Sequence, residues 1–122
     1  MDKINNFTDL EAWKEGHQLA LLVYRITKSF PREEMFGLTN QMRRCSVSVP
    51  SNIAEGFSRQ SYKEKVQFYS ISLGSATELR SQVLLAKDLE YIISSDLDLV
   101  ESKMLKLHKL LNGLIKSSKK YP

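Results

Sequence analysis

From Leu10 to Leu114 the apolar residues recur at steps of three and four in four separate stretches, and no stretch alternates apolar with polar as a half-buried strand does. A repeat near 3.6 residues puts these side chains on one flank of a helix. The chain is therefore expected to be all-α. The first stretch is Leu10, Trp13, His17, Ala20, Tyr24 and Thr27, with Leu19, Val23, Ile26 and Phe30 beside it. Thr8-Asp9-Leu10-Glu11 reads as a capping box at its start, and Pro31 closes it. The second is Leu38, Met42, Cys45, Val49 and Ile53, interrupted by Pro50 and ended by Gly56, which suits a left-handed C-terminal residue. Because Pro50 removes the amide that would bond the Ser46 carbonyl, a bend is expected there, relieved by the hydroxyls of Ser46 and Ser48.

Ser61-Tyr62-Lys63-Glu64 is a second capping box, ahead of Val66, Tyr69, Leu73, Ala76 and Val83. Gly74, beside Ser75 and Ala76, is expected to let another backbone come close. After a break at Ser94-Ser95-Asp96, Leu97, Val100, Met104, Leu107, Leu111 and Leu114 form a heptad seam. Helices over about 9–29, 36–55, 62–93 and 96–117, joined by short connections, predict one domain: an antiparallel four-helix bundle with helix two bent at Pro50. Residues 1 to 7 and 117 to 122 are expected to fray.

A chain of 122 residues, 42% hydrophobic and 26% charged, is long enough to bury a core without disulfide or metal. Its single cysteine, Cys45, excludes an internal disulfide and fits a reducing compartment. The longest fully apolar run is Leu19 to Tyr24, far short of the about 20 residues of a membrane span. The N-terminus lacks a signal-peptide pattern, so the expected location is cytoplasmic.

Few residues invite catalysis. Bundle metal sites need Glu-x-x-His pairs, and none occurs; His17 and His108 are the only histidines. The Arg-to-His spacing of small helical ribonucleases is absent before His108, as are a phosphate-binding glycine loop and a nucleophile elbow. Cys45 lies on the apolar stripe, where a buried thiol is inert. No cofactor, metal or small-molecule substrate is indicated, and the protein is expected not to be an enzyme.

Charge is more informative. Eighteen Lys+Arg against fourteen Asp+Glu give +4, and from Lys103 onward there are six lysines and no acid. At about 100° per residue, Lys106, Lys109, Lys116 and Lys120 fall in one sector opposite the helix-four seam. Such a stripe is either an ordinary solvated face or a surface that neutralises phosphates. Arg43, Arg44, Arg59 and Lys63 are expected to add a second patch near the turn between helices two and three. Exposed aromatics interleaved with the cations, as in single-strand stacking platforms, are not apparent.

The run Gln41-Met42-Arg43-Arg44-Cys45-Ser46-Val47-Ser48-Val49-Pro50-Ser51-Asn52-Ile53-Ala54-Glu55-Gly56 resembles the signature of the four-helix bundle family encoded by intervening sequences in bacterial 23S ribosomal RNA genes. Trp13 with Val23-Tyr24, Phe30-Pro31, Gly37-Leu38 and Gly74-Ser75 with Glu78 extend the likeness over nearly the whole chain, while Ala76 and Arg80 depart from it. The resemblance implies an up-and-down bundle that assembles into a ring, usually a homopentamer. Relatives include the accessory variability protein of diversity-generating retroelements, and they engage nucleic acid or polymerase through a basic surface.

The expected function is a non-enzymatic oligomer binding structured RNA or a ribonucleoprotein. The alternative is a protein-binding adaptor, for example to a reverse transcriptase, without nucleic-acid contact. Asn52 with Glu55, and Ser75 with Glu78, share an i,i+3 spacing. They are read as a structural polar network in which Glu78 pairs with Arg43, Arg44 or a neighbouring subunit, and the sharper reading makes Glu55 and Glu78 a carboxylate pair for hydrolysis.

Overall fold

The computed structural model describes residues 4–120, and four long helices carry its fold: α1 (Glu11–Thr27), α2 (Asn40–Ser58), α3 (Tyr62–Asp88) and α4 (Ser94–Lys119). No strand occurs among the described residues. The helices form an all-α four-helix bundle, and specific contacts fix its register. Between α1 and α4, Arg25 pairs with Asp96 and Glu15 with Lys106, each at 3.0 Å. Ten residues forward on α1 thus correspond to ten residues backward on α4, so the two run antiparallel. Between α2 and α3, Ser72 donates to the Val49 carbonyl and the hydroxyls of Ser48 and Ser75 meet, both at 2.8 Å.

The core follows the periodic stripes. Leu19 and Val23 of α1, Val49 and Ile53 of α2, Leu79 and Val83 of α3, and Val100, Leu107 and Leu111 of α4 are all but closed to solvent. Each such side chain contributes about 1.5–3 kcal/mol relative to exposure, enough to order helices whose intrinsic propensities are ordinary.

Several ends differ from the sequence reading, each for a local reason. Thr8 does not cap α1: the Asn6 side chain accepts from the Thr8 amide at 3.0 Å and from its hydroxyl at 2.9 Å, closing a separate 3-10 turn over Phe7–Asp9. α1 then begins at Glu11 behind Leu10, which has no side-chain cap. The α2 start moves to Asn40 because Met35–Thr39 form a wide turn containing Gly37 at φ −114°, ψ −115°. That turn is held by Glu34, whose carboxylate accepts from the Leu38 amide at 3.3 Å and the Tyr91 hydroxyl at 3.0 Å. α2 is continuous through Pro50 to Ser58, and Gly56 lies inside it; no described glycine has positive φ. Gly56 is instead the place where the Tyr69 ring comes down on α2, so close that its ring atoms lie under 3 Å from where a Cβ would stand.

The second capping box forms as expected, the Ser61 hydroxyl accepting from the Glu64 amide at 3.1 Å. α3 ends at Asp88, before residue 93, because Glu90 turns left-handed at φ 64° and the Tyr91 amide bonds back to the Ala86 carbonyl. Gly74 admits no neighbouring backbone: nothing lies within 4 Å of where its Cβ would be. Residues 117–119, expected to fray, continue α4; expectations for 1–3 and 121–122 lie outside the described residues.

Candidate nucleic-acid interface

The α4 seam buries Val100, Met104, Leu107 and Leu111, so Lys106, Lys109, Lys116 and Lys120 on the opposite side stand in solvent. They are not equivalent. Lys106 is engaged with Glu15, whose hydrogen bond and charge hold it protonated above the ordinary lysine range. Lys109, Lys116 and Lys120 form no ion pair among the described residues, and Lys119 joins them in the last turn. Sequence phasing left Lys119 out of the stripe, yet it is exposed in the last turn while its neighbour Ser118 is buried.

Register decides which other cations lie near them. Arg80 of α3 grips Glu101 of α4, its Nε 3.1 and 3.2 Å from the two carboxylate oxygens. From that level Lys63 lies 17 residues back along α3, about 26 Å, and Lys116 and Lys119 lie 15 and 18 residues onward along α4, about 22–27 Å. With the helices antiparallel, both displacements run toward the same end. Arg59 and Lys63 at the α2–α3 turn therefore share one pole of the bundle with Lys116, Lys119 and Lys120. The C-terminal dipoles of α2 and α4 favour Arg59 and the α4 lysines there, whereas Lys63 stands in the first turn of α3, whose dipole opposes it. Lys65 also serves that end: its Nζ donates to the Phe57 and Gly56 carbonyls at 2.7 and 3.3 Å, and burial lowers its pKa.

Arg43 and Arg44 lie elsewhere. They precede Arg59 by 16 and 15 residues on α2, about 23 Å of helix, so the four residues expected to form one patch do not come together. Arg43 is half-buried, its Nε donating to the Thr27 hydroxyl at 2.9 Å and its guanidinium lying 4.9 Å from the Tyr24 ring centre. Arg44 is exposed. Arg59 binds Glu55 at 3.0 Å while lying 4.6 Å from the Phe68 ring centre.

The polar residues of α2 and α3 divide in two. Asn52 donates to the Ser48 carbonyl at 2.8 Å and hydroxyl at 3.0 Å, and Ser48 meets Ser75, so those three form a continuous network. Glu55 faces outward to Arg59. Glu78 lies 3.5 Å from the Cys45 sulfur and forms no described ion pair with Arg43 or Arg44. Since Cys45 marks the level of Glu78, Glu55 is ten residues further along α2, about 15 Å away. The two carboxylates cannot share a substrate bond. Burial, reinforced by the Glu78 charge, pushes the Cys45 thiol up to about 12, which keeps it protonated. Among the described residues no three His, Cys, Asp or Glu side chains converge as metal ligands, and no helix is long and apolar enough to cross a membrane.

Two grooves larger than the roughly 220 Å³ gap between α1 and α4 flank the bundle. One, of about 550 Å³ between α3 and α4, contains the Arg80–Glu101 pair and His108. The other, of about 450 Å³ between α1 and α2, contains Trp13, His17, Leu21, Tyr24 and Pro50.

A family model described as 23S rRNA-intervening sequence protein matches residues 8–113. Among solved structures, the chain is similar to a protein with unknown function from the S23 ribosomal protein family of Bacteroides thetaiotaomicron. The two are 24% identical, the match covers 86% of this chain and 95% of that one, and the TM-score is 0.79. Identity at this level speaks to the shared fold. No curated protein matches the chain.

Proposed function

The chain belongs to the 23S rRNA-intervening sequence protein family, and from that premise we propose that it is a non-enzymatic, cytoplasmic homo-oligomer that binds structured RNA or a ribonucleoprotein through the basic pole. The observation carrying this reading is the convergence of Lys63 with Lys116, Lys119 and Lys120 at one end of the bundle, beside the Arg59–Glu55 pair. Phosphates attracted there release counterions, which makes affinity fall steeply with salt. Phosphate contacts of this kind position a ligand without reading its sequence, so selectivity comes from RNA shape.

Oligomerisation draws on apolar surface that the single bundle leaves outside: Phe36 at 94% exposure on the α1–α2 connection and Leu105 at 61% on α4. Contact between unlike faces closes into a ring, and a pentamer is the expected form. Light scattering at micromolar concentration gives five chain masses on this reading and one if it is wrong. The absence of catalysis is supported by the separation of Glu55 from Glu78 and by the buried, protonated Cys45.

The deciding experiment is binding to a structured fragment of large-subunit ribosomal RNA, titrated against salt, with transfer RNA as competitor. A steep salt slope with preference for the ribosomal fragment supports the proposal. A steep slope without preference reduces it to general phosphate attraction. No binding at low salt removes it in favour of a protein-binding adaptor.

A further inference from the structure

The α1–α2 groove has the lining of a stacking site. Helical spacing puts Trp13, His17 and Tyr24 on one side of α1, and the first two rings are stacked, 4.7 Å apart and 15° from parallel. Phe7 meets Trp13 edge-on at 5.3 Å. His17 and Tyr24 are two turns apart, about 10.5 Å along the axis. Between them the floor is made by small or compact residues, Ala20 and Pro50, with Leu21 at the rim. A flat ring placed there has aromatic walls on two sides and an apolar floor.

Charge argues for an anionic chain as the carrier of that ring. No carboxylate lines the groove. One end carries the Arg43 guanidinium over Tyr24. The other end is closed by Phe7 against Trp13 and by Ala54 of α2, five residues short of Arg59 at the basic pole, about 7.5 Å of helix. The α3–α4 groove lacks this character, since Glu101 stands in it. We propose that the α1–α2 groove receives an unpaired nucleobase from an RNA whose phosphates rest on the basic pole, an inference that rests on the RNA-binding reading above. Base stacking on aromatic side chains is sequence-tolerant, so the groove recognises single-stranded character and not a particular base.

Trp13 is the sole tryptophan, so its emission reports on the groove directly. The probes are an RNA hairpin carrying a short single-stranded extension, the same hairpin with a blunt end, and heparin as a polyanion without bases. The extended hairpin is expected to quench Trp13 and to bind about fivefold or more tighter than the blunt one. Heparin should bind without quenching. His17→Ala removes one wall, and Leu21→Glu, at a half-exposed rim position, sets a carboxylate in the groove. Both should abolish the preference for the extension while leaving the salt slope intact. Equal affinity for the two hairpins with unquenched Trp13 overturns the groove assignment and leaves phosphate binding standing. If neither RNA nor heparin binds, both readings fall. Trp13 emission that varies with protein concentration without RNA, and oligomer dissociation on Leu21→Glu, would show the groove covered by a second copy and also overturn the assignment.

Discussion

The Tyr69 ring lies so close over Gly56 that a Cβ on the glycine would sit 2.7 Å from Tyr69 Cε1 and 2.9 Å from Cδ1. Tyr69 is buried, so its ring cannot swing clear. Gly56→Ala should therefore destabilise the protein by about 1–3 kcal/mol through overpacking, even though alanine is the better helix former. Urea denaturation measures it. An unchanged or raised midpoint would mean that α2 and α3 can separate there without cost.

Arg43 and the pole lysines should separate stability from binding. Arg43 is tied to Thr27 and Tyr24, so Arg43→Gln is expected to cost about 1–2 kcal/mol of stability, because it removes a hydrogen bond and a cation–aromatic interaction. Affinity for a blunt hairpin, which engages only the basic pole about 23 Å away, should stay unchanged. The triple replacement of Lys116, Lys119 and Lys120 by Gln should do the reverse. It leaves the denaturation midpoint in place and lowers the salt slope by up to about 2.7, at roughly 0.9 for each phosphate no longer neutralised. Lys106→Gln should not change the slope, because Glu15 already neutralises that charge.

Tyr91 supplies a pH-dependent tie between the α1–α2 and α3–α4 connections. Its hydroxyl donates to Glu34, and that bond, with burial and the Glu34 and Glu33 charges, raises its pKa above the usual 10.0. A group whose folded pKa is raised contributes stability in full below its unfolded pKa and loses it as pH rises through the folded one. The stability difference between the native protein and Tyr91→Phe should therefore be constant up to about pH 9 and shrink above about pH 10. Denaturation across that range tests it; a difference independent of pH would show that the bond does not form in solution.

Cys45 should resist modification. With its thiol raised to about 12 and only 7% of the residue exposed, the thiolate is scarce and shielded. Alkylation by iodoacetamide near neutral pH should run at least about tenfold slower in the folded protein than in urea. Equal rates would contradict the burial.

The sequence by itself determined the number of helices and their order, and the side most of them turn inward. On α1 the Leu19, Val23, Ile26 and Phe30 stripe is buried while His17 and Tyr24 of the other stripe face out. The 3.6-residue apolar spacing is a local property, and Val49, Ile53, Leu107 and Leu111 were legible as core because burial follows it directly. The Ser61 cap was legible for the same reason, since its donor and acceptor lie within one turn. Where two local acceptors competed, the sequence did not say which would win: Asn6 displaced Thr8 at the first helix, and Glu34 with Gly37 delayed the start of the second. Tertiary structure alone decided what depends on register. It assigned Gly56 to the Tyr69 ring, set Glu55 about 15 Å from Glu78, tied up Lys106 and Arg43, and carried Arg59 and Lys63 to the end of the bundle where α4 finishes. Helical spacing had already aligned Trp13, His17 and Tyr24 on α1; the packing of α2 beside them, with Pro50 against Gly16, turned that stripe into a groove. Charges and rings far apart in the chain become one surface only when the cores beneath them lock the helices at a fixed offset.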